Sequence, residues 1–470
     1  MARRPGPVTR ERRLQGISAW LDKPDSLAAE FAAGEVPQRI RTFSQAAPDD
    51  LVAALDLLGR VKDVAIVVHG PRGCAAALAG SAPHAHWAVT GLDQRDTIMG
   101  NEGVVERAVL SLVRRHKPKA VFVVTTPVVA INSDDGRDSV LSLTDELGIP
   151  VQLVRTDGFR SRIAATGYDA ACQALLTLVP PVPGRTQDSL VNLLARDEAL
   201  AREAAALLAG SGLEVNVLPA GADAAAFDRA GRARLSVCLD PEATGAFAAG
   251  LEAAHGVPVL HAPPPIGFAA TRRWVEAIGV SSSPSWPGLS GPPVAAGAVG
   301  GGPDKPGDDG EGTPAANLEG IRIHLALPPD AGFATAVLIQ ELGGTVATLT
   351  VEHIDKTHTE ALEAFTRTGA TLHVASGQPF ELVNLLRTQK PDLFAGAPDL
   401  AALAAAAGVP AVGLTPASLI GWRGAARLAE RARAAVRNPA FVRRLAAAPS
   451  AYSAGWLRRS PDWHVKQEVR

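Results

Sequence analysis

Hydrophobic positions along the chain come in two patterns. One is a short, near-continuous apolar run bounded by Gly, Pro or Asp. It recurs as "DVAIVVHG", "KAVFVVTTP", "PVQLVRTDG", "SLVNLLA", "LEVNVLPAG", "ARLSVCLD", "VPVLHAP", "IRIHLALPP", "TVATLTVE", "TLHVASGQ", "DLFAGAP" and "PAVGLTP". Such runs lack the alternation of a half-exposed strand and predict strands covered on both faces. The other pattern is helical. Stretches such as "GVVERAVLSLVRRH" and "DEALAREAAALLAGSG" lie between the runs, with apolar residues three and four apart. Strands alternating with helices predict an α/β fold of parallel sheets made from repeated β-α units.

The units group along the chain. An N-terminal extension covers 1–39, and a first α/β domain covers 40–185, ending at the proline-rich "VPPVPGRTQDS". A second covers 188–280 and a third 318–415, followed by a helical C-terminal tail over 416–470. Residues 281–316 are nearly all Gly, Pro, Ser, Ala and Asp. That composition cannot bury a core and predicts a disordered linker.

Composition narrows the function classes. The 470 residues carry a formal net charge of −2, which gives no electrostatic case for nucleic acid or an anionic membrane surface. No apolar run is long enough to span a bilayer. The basic start "MARRPGPVTRERRLQG" has no apolar stretch behind it, so a secretory signal is not expected. Three cysteines make no disulfide framework, which suits a cytoplasmic protein with reduced thiols. No Gly-Lys dipeptide occurs, so there is no Walker A loop, and no nucleotide is expected on this chain. A loose Gly310-Glu311-Gly312…Ala315 match lies in the linker and follows no strand.

One turn concentrates candidate chemistry. In "AIVVHGPRGCAAAL" an apolar run stops at His69-Gly70-Pro71, and Arg72-Gly73-Cys74 leads into an alanine-rich stretch. Ligands of open parallel sheets bind beyond the carboxyl ends of strands, where the next helix starts. A glycine-rich turn there allows close approach, and a helix N-terminus favours anions and a cysteine thiolate. Thiolate is what iron or zinc takes. The same residue also reads as a buried free cysteine, a small hydrophobe. His84 and His86 follow ten and twelve residues past Cys74, where they could join His69 or simply face solvent. Asp134 and Asp135 read as caps for the helix beginning near "DSVLSLTDEL". Cys172 reads as core.

The order of pieces around that turn resembles nitrogenase component 1 and its relatives. The matching pieces are His69 to Cys74, Thr90 to Thr97, Gly100-Asn101-Glu102, Lys117-Pro118-Lys119, Thr125-Thr126-Pro127 and Asp134-Asp135. Later segments, from "LEVNVLPAG" through "GWRGAARLAERARAAVRNP", look like the family's second and third domains and tail, so the resemblance covers about residues 40 to 445. It implies three Rossmann-like α/β domains. It also implies a subunit that pairs with a homologous subunit and takes low-potential electrons from an ATP-dependent iron–sulfur reductase, passing them through an iron–sulfur cluster to a substrate. A cluster-assembly scaffold or a non-catalytic subunit is the alternative.

The resemblance assigns roles residue by residue. Cys74 stands at the second of three cluster-ligand positions, with His69 and Gly73 shaping its turn. Thr126 replaces the third cysteine, and the stretch for the first offers only Thr42 and Ser44. Cys238 lies two residues from the expected cofactor cysteine, on the same face of its strand, and also reads as core. No histidine occurs between His373 and His464, so the tail ligand has no match. Pro263 to Gly267 resembles a loop that shapes the second-domain cleft.

Overall fold

The computed structural model describes residues 13, 16–34, 36–37, 39–41, 48–74, 84–99, 103–132, 136–158, 163–181, 186–260, 262–279, 317–447, 452–459 and 465–467. Thr42, Ser44, the 100–102 turn, Asp134, Asp135 and the 281–316 segment lie outside them.

Each of the twelve apolar runs contains a strand. β1 (Ala19–Asp22) and β2 (Arg39–Arg41) open the described chain. β3 (Val64–His69), β4 (His86–Val89), β5 (Ala120–Thr125) and β6 (Val151–Val154) form a parallel sheet in the order β4-β3-β5-β6. β7 (Gln187–Ala195), β8 (Glu214–Pro219), β9 (Ala233–Cys238) and β10 (Val259–Leu260) form a second, in the order β10-β9-β7-β8. The third contains β11 (Arg322–Ala326), β12 (Thr345–Val351), β13 (Thr371–Ala375), β14 (Leu393–Gly396) and β15 (Ala411–Gly413), in the order β13-β12-β11-β14-β15. β1 adds to its β13 edge in antiparallel sense, and β16 (Val465–Gln467) pairs with β2. The strand pattern explains the layering. Ile66, Val68, Phe122 and Val124 bury on one face of the first sheet, and Ala65, Val67, Val121 and Val123 on the other.

Helix starts follow from short-range chemistry. Asp49, Asp197, Asp223 and Asp240 each accept a hydrogen bond from a first-turn backbone N–H of the helix that follows. Three of these caps lie just past strands of the second sheet, so its helices begin at one rim. The apolar cores are continuous between sheets. Leu190, Leu194 and Cys238 pack with the first sheet's residues, whereas Val191, Leu193 and Val237 pack with Leu325, Leu349 and Leu372 of the third. This sharing brings strand ends from different sheets to face one another.

A polar chain crosses the third sheet. His324 Nε2 lies 2.8 Å from the Thr350 hydroxyl, which lies 3.1 Å from His373 Nδ1. His373 Nε2 in turn lies 3.0 Å from Glu381 Oε2. Burial, with a smaller contribution from His373, lowers the His324 pKa to about 3. Between pH 6.5 and 3 the unfolded chain therefore binds a proton that the folded chain does not, so stability present above pH 6.5 is lost as pH falls through that window. The expected slope is up to about 1.4 kcal/mol per pH unit. Urea midpoints at pH 7 and pH 5 should drop more for the wild type than for His324→Asn. Equal drops would refute the assignment.

Candidate functional site

The strand ends of the second and third sheets enclose a cavity of about 750 Å³. Arg196 follows β7, Asp240 and Glu242 follow β9, Asp330 follows β11, and Glu352 and His353 follow β12. Pro264 and Ile266, from the segment assigned to a cleft loop, also line it. The helices Asp50–Leu58 and Ala165–Leu176 close one side with Asp56 and Tyr168. This is the position at which open α/β sheets bind ligands.

Arg196 organises the wall. Its Nη1 donates to Asp56 Oδ2 at 3.1 Å and to the Tyr168 hydroxyl at 2.8 Å, and its Nε lies 3.7 Å from Asp240 Oδ2. Glu242, Asp330 and Glu352 are shifted upwards. Burial, reinforced by Glu352 and Asp240, raises the Glu242 pKa to about 8. Burial also raises Asp330 and Glu352. The Glu242 carboxyl therefore favours the protonated form near neutral pH and can donate a hydrogen bond. The cavity thus sets a few charged groups in a largely apolar lining, its guanidinium is already paired with Asp56 and Asp240, and none of the three cysteine thiols lines it.

Beneath its floor lies a buried cluster. Arg13 Nε lies 3.0 Å from Asp169 Oδ2, and Arg13 Nη2 donates to the Glu242 carbonyl at 2.8 Å. Asp355 and His358 face each other at 3.0 Å. Despite burial, Asp355 raises the His358 pKa to about 9, and His358 and Arg13 hold Asp355 well below the carboxylate range. Burial lowers His353 to about 3, so its imidazole is neutral. The pattern of apolar runs and the family resemblance do not point to these residues. The available signal was "HIDKTH", two imidazoles and a carboxylate within six positions directly after an apolar run.

The HGPRGC turn lies at the carboxyl end of β3. His69 Nδ1 lies 3.2 Å from the Thr90 hydroxyl, which also accepts the Gly70 N–H at 2.9 Å. The Gly70 carbonyl accepts from Gly91 N and Leu92 N at 3.0 and 3.1 Å. Arg72, Gly73 and Cys74 form one 3₁₀ turn, with Cys74 N bonded to the Pro71 carbonyl at 3.0 Å. Cys74 is half-buried against the first-sheet core. Its thiol corrects an expectation: burial, aided by Asp49, raises the pKa, although the Thr126 hydroxyl pulls it back. Desolvation thus disfavours the thiolate at this turn.

The other candidates separate. His86 is opposite Ala65, four residues down β3 from His69, and stacks on His116 at 3.8 Å. His84 Nε2 lies 2.6 Å from Glu198 Oε1. The Cys172 thiol donates to the Ala243 carbonyl at 3.2 Å, and Cys238 Sγ lies 3.3 Å from the Thr244 hydroxyl. Burial pushes the Cys238 thiol up to about 12, and Cys172 is also raised by burial. Both belong to the apolar core. A metal–sulfur group ligated by thiolates therefore does not fit the cavity. Of the three thiols, that of Cys74 alone is partly accessible. Among the described residues, no helix is long and apolar enough to cross a membrane.

Comparison with known proteins places this arrangement in a family. The family model of nitrogenase component 1 type oxidoreductases matches residues 51–437. The nitrogenase iron-molybdenum cofactor biosynthesis protein NifE of Clostridium pasteurianum is 33% identical over 132 residues, 26% of this chain and 28% of the relative. The nitrogenase molybdenum-iron protein alpha chain of Methanosarcina barkeri is 27% identical over 132 residues, 26% of this chain and 25% of the relative. These matches thus span only about a quarter of the curated relatives' length. The solved structure "Nitrogenase Cp1 at pH 6.5" superposes with a TM-score of 0.66 at 16% identity, covering 84% of this chain and 94% of that one, which shows the shared fold. With the family model spanning most of the sequence and the same fold recurring in a solved nitrogenase, the chain belongs to the nitrogenase component 1 type oxidoreductase family.

Proposed function

We propose that this chain is a subunit of a heteromeric component 1-type complex that serves cofactor assembly, contributing Cys74 to an iron–sulfur cluster shared with a homologous subunit. The observation that carries the reading is the distribution of thiols. Cys172 and Cys238 are sealed in the core, none lines the cavity, and only Cys74 is partly accessible. One thiolate suits a cluster completed by a partner chain, and His69 and Gly73 shape the turn that presents it. Relatives named as cofactor biosynthesis proteins, NifE and NifN, support an assembly role.

The cavity favours a second reading. Electrons delivered by an ATP-dependent iron–sulfur reductase would pass through the shared cluster to a substrate held between the sheets. Iron and acid-labile sulfide should be measured on the anaerobically isolated complex, beside the same complex carrying Cys74→Ala. The expected result is a cluster in the wild type and at least about tenfold less of it in the variant. Unchanged content would assign the cluster to the partner alone, and no iron in either would make Cys74 structural. Turnover of a substrate by the iron-loaded complex would move the second reading ahead of the first.

A further inference from the structure

We propose that His353, Asp355 and His358 form a binding site for one divalent first-row transition-metal ion, zinc or iron(II) by ligand type, beside the cavity between the second and third sheets. This is independent of the cluster at Cys74. The three side chains follow β12 within one short loop, and one ligand atom from each can be chosen so that all lie within 4.8 Å of one another. All three are buried, at 3%, 0% and 2% exposure.

Their hydrogen bonding leaves an opening between them. Asp355 Oδ1 accepts from Thr357 N at 2.8 Å and from the Thr357 hydroxyl, which fixes the carboxylate. Its other oxygen, Oδ2, has no hydrogen-bond partner among the described residues, and neither has His353 Nε2. These two atoms face each other at 3.8 Å. That distance is too long for a hydrogen bond. It fits two donors about 2.1 Å from one ion at an angle of roughly 130°. A buried imidazole nitrogen and a buried carboxylate oxygen left unmade are costly, and a single ion satisfies both.

The surroundings support an ion rather than an empty contact. His353 and Glu242 both line the cavity, so an ion has a route from solvent and an outward coordination position. Glu242 Oε1 lies 3.9 Å from His353 Nδ1. Arg13 Nη1 also lies 3.9 Å from Asp355 Oδ2, too far for a hydrogen bond, while the same side chain is held by Asp169 at Nε and by the Glu242 carbonyl at Nη2. Asp169 supplies negative charge beside that second cation. Two imidazoles and one carboxylate are a borderline donor set, which suits zinc or iron(II) rather than calcium or magnesium.

The test uses the full chain, stripped with chelator and titrated with Co²⁺ and separately with Zn²⁺. The expected result is about one ion per chain, visible d–d absorption for cobalt, and no acid-labile sulfide. His353→Gln removes a donor that holds no ion pair in place, and should weaken binding at least about tenfold. His255→Gln, at a distant helix end, and Cys74→Ala should retain the ion, so this reading and the cluster reading fail separately. Less than about half an ion per wild-type chain at saturating cobalt overturns the proposal whatever the variants do. Equal affinity in wild type and His353→Gln overturns it as well.

Discussion

Replacing Gly167 with alanine should cost about 3 kcal/mol or more, the upper end of what overpacking does. The added Cβ would lie 1.9 Å from the Asp50 carbonyl oxygen, 2.7 Å from its carbon and 2.9 Å from Ala54 N. All three are backbone atoms of the helix Asp50–Leu58, so no rotamer change relieves the contact. The helices must separate instead, and their interface holds Leu51, Ala54, Leu55 and Ala171 in one core. Asp50 also accepts the Gly158 and Asp157 N–H groups at 2.7 and 3.2 Å. Separation would therefore loosen the loop after β6 and the Asp56–Arg196–Tyr168 wall of the cavity. A urea titration beside the wild type reads the effect directly. A midpoint within error of the wild type would show that the two backbones are not in contact.

Gly70→Ala should be the next most damaging substitution, at about 2–3 kcal/mol, and here the damage should be reversible. A Cβ at Gly70 would lie 2.1 Å from Thr126 Oγ1, 2.7 Å from its Cγ2 and 2.9 Å from its Cβ. The Gly70 backbone cannot move aside, because its N–H and carbonyl are both bonded to the 90–92 segment. The obstacle is a side chain, so Thr126→Gly in the same chain should recover most of the loss, apart from about 1 kcal/mol of backbone entropy at the new glycine. A coupling of about 2 kcal/mol in the double-mutant cycle is the expected measure. Iron content of the complex should fall with Gly70→Ala and return in the double variant, since the same turn presents Cys74. Additive losses would show that Thr126 does not meet residue 70.

Thr126 illustrates how the two levels of description meet. Its position matches a family cysteine, and from sequence it is a lost ligand. In the structure it is fully buried against Gly70, with its hydroxyl close enough to the Cys74 thiol to oppose the pKa rise. The replacement thus has a packing role that residue type alone does not reveal. The strands of the three main sheets were legible because burial on both faces leaves an apolar run that no surface helix shows. β1 and β4 were not. "AWLD" is short and finds its partner β13 some 350 positions away, and "HWAV" is an edge strand with exposed His86 and Trp87.

By itself the sequence determined the α/β class, the parallel order of β-α units, the family resemblance and the scarcity of thiols. These depend on periodicity, turn chemistry and residue type, which act over a few neighbouring positions. Only the tertiary structure decided where buried charge sits. The cavity takes single residues from the ends of many strands, and Arg13 reaches Asp169 and Asp355 from the far end of the chain. The protonation of Glu242, the neutrality of His353 and the raised thiol of Cys74 are all set by burial and by neighbours distant in sequence. Desolvation and close charge pairing arise only once those segments are packed together.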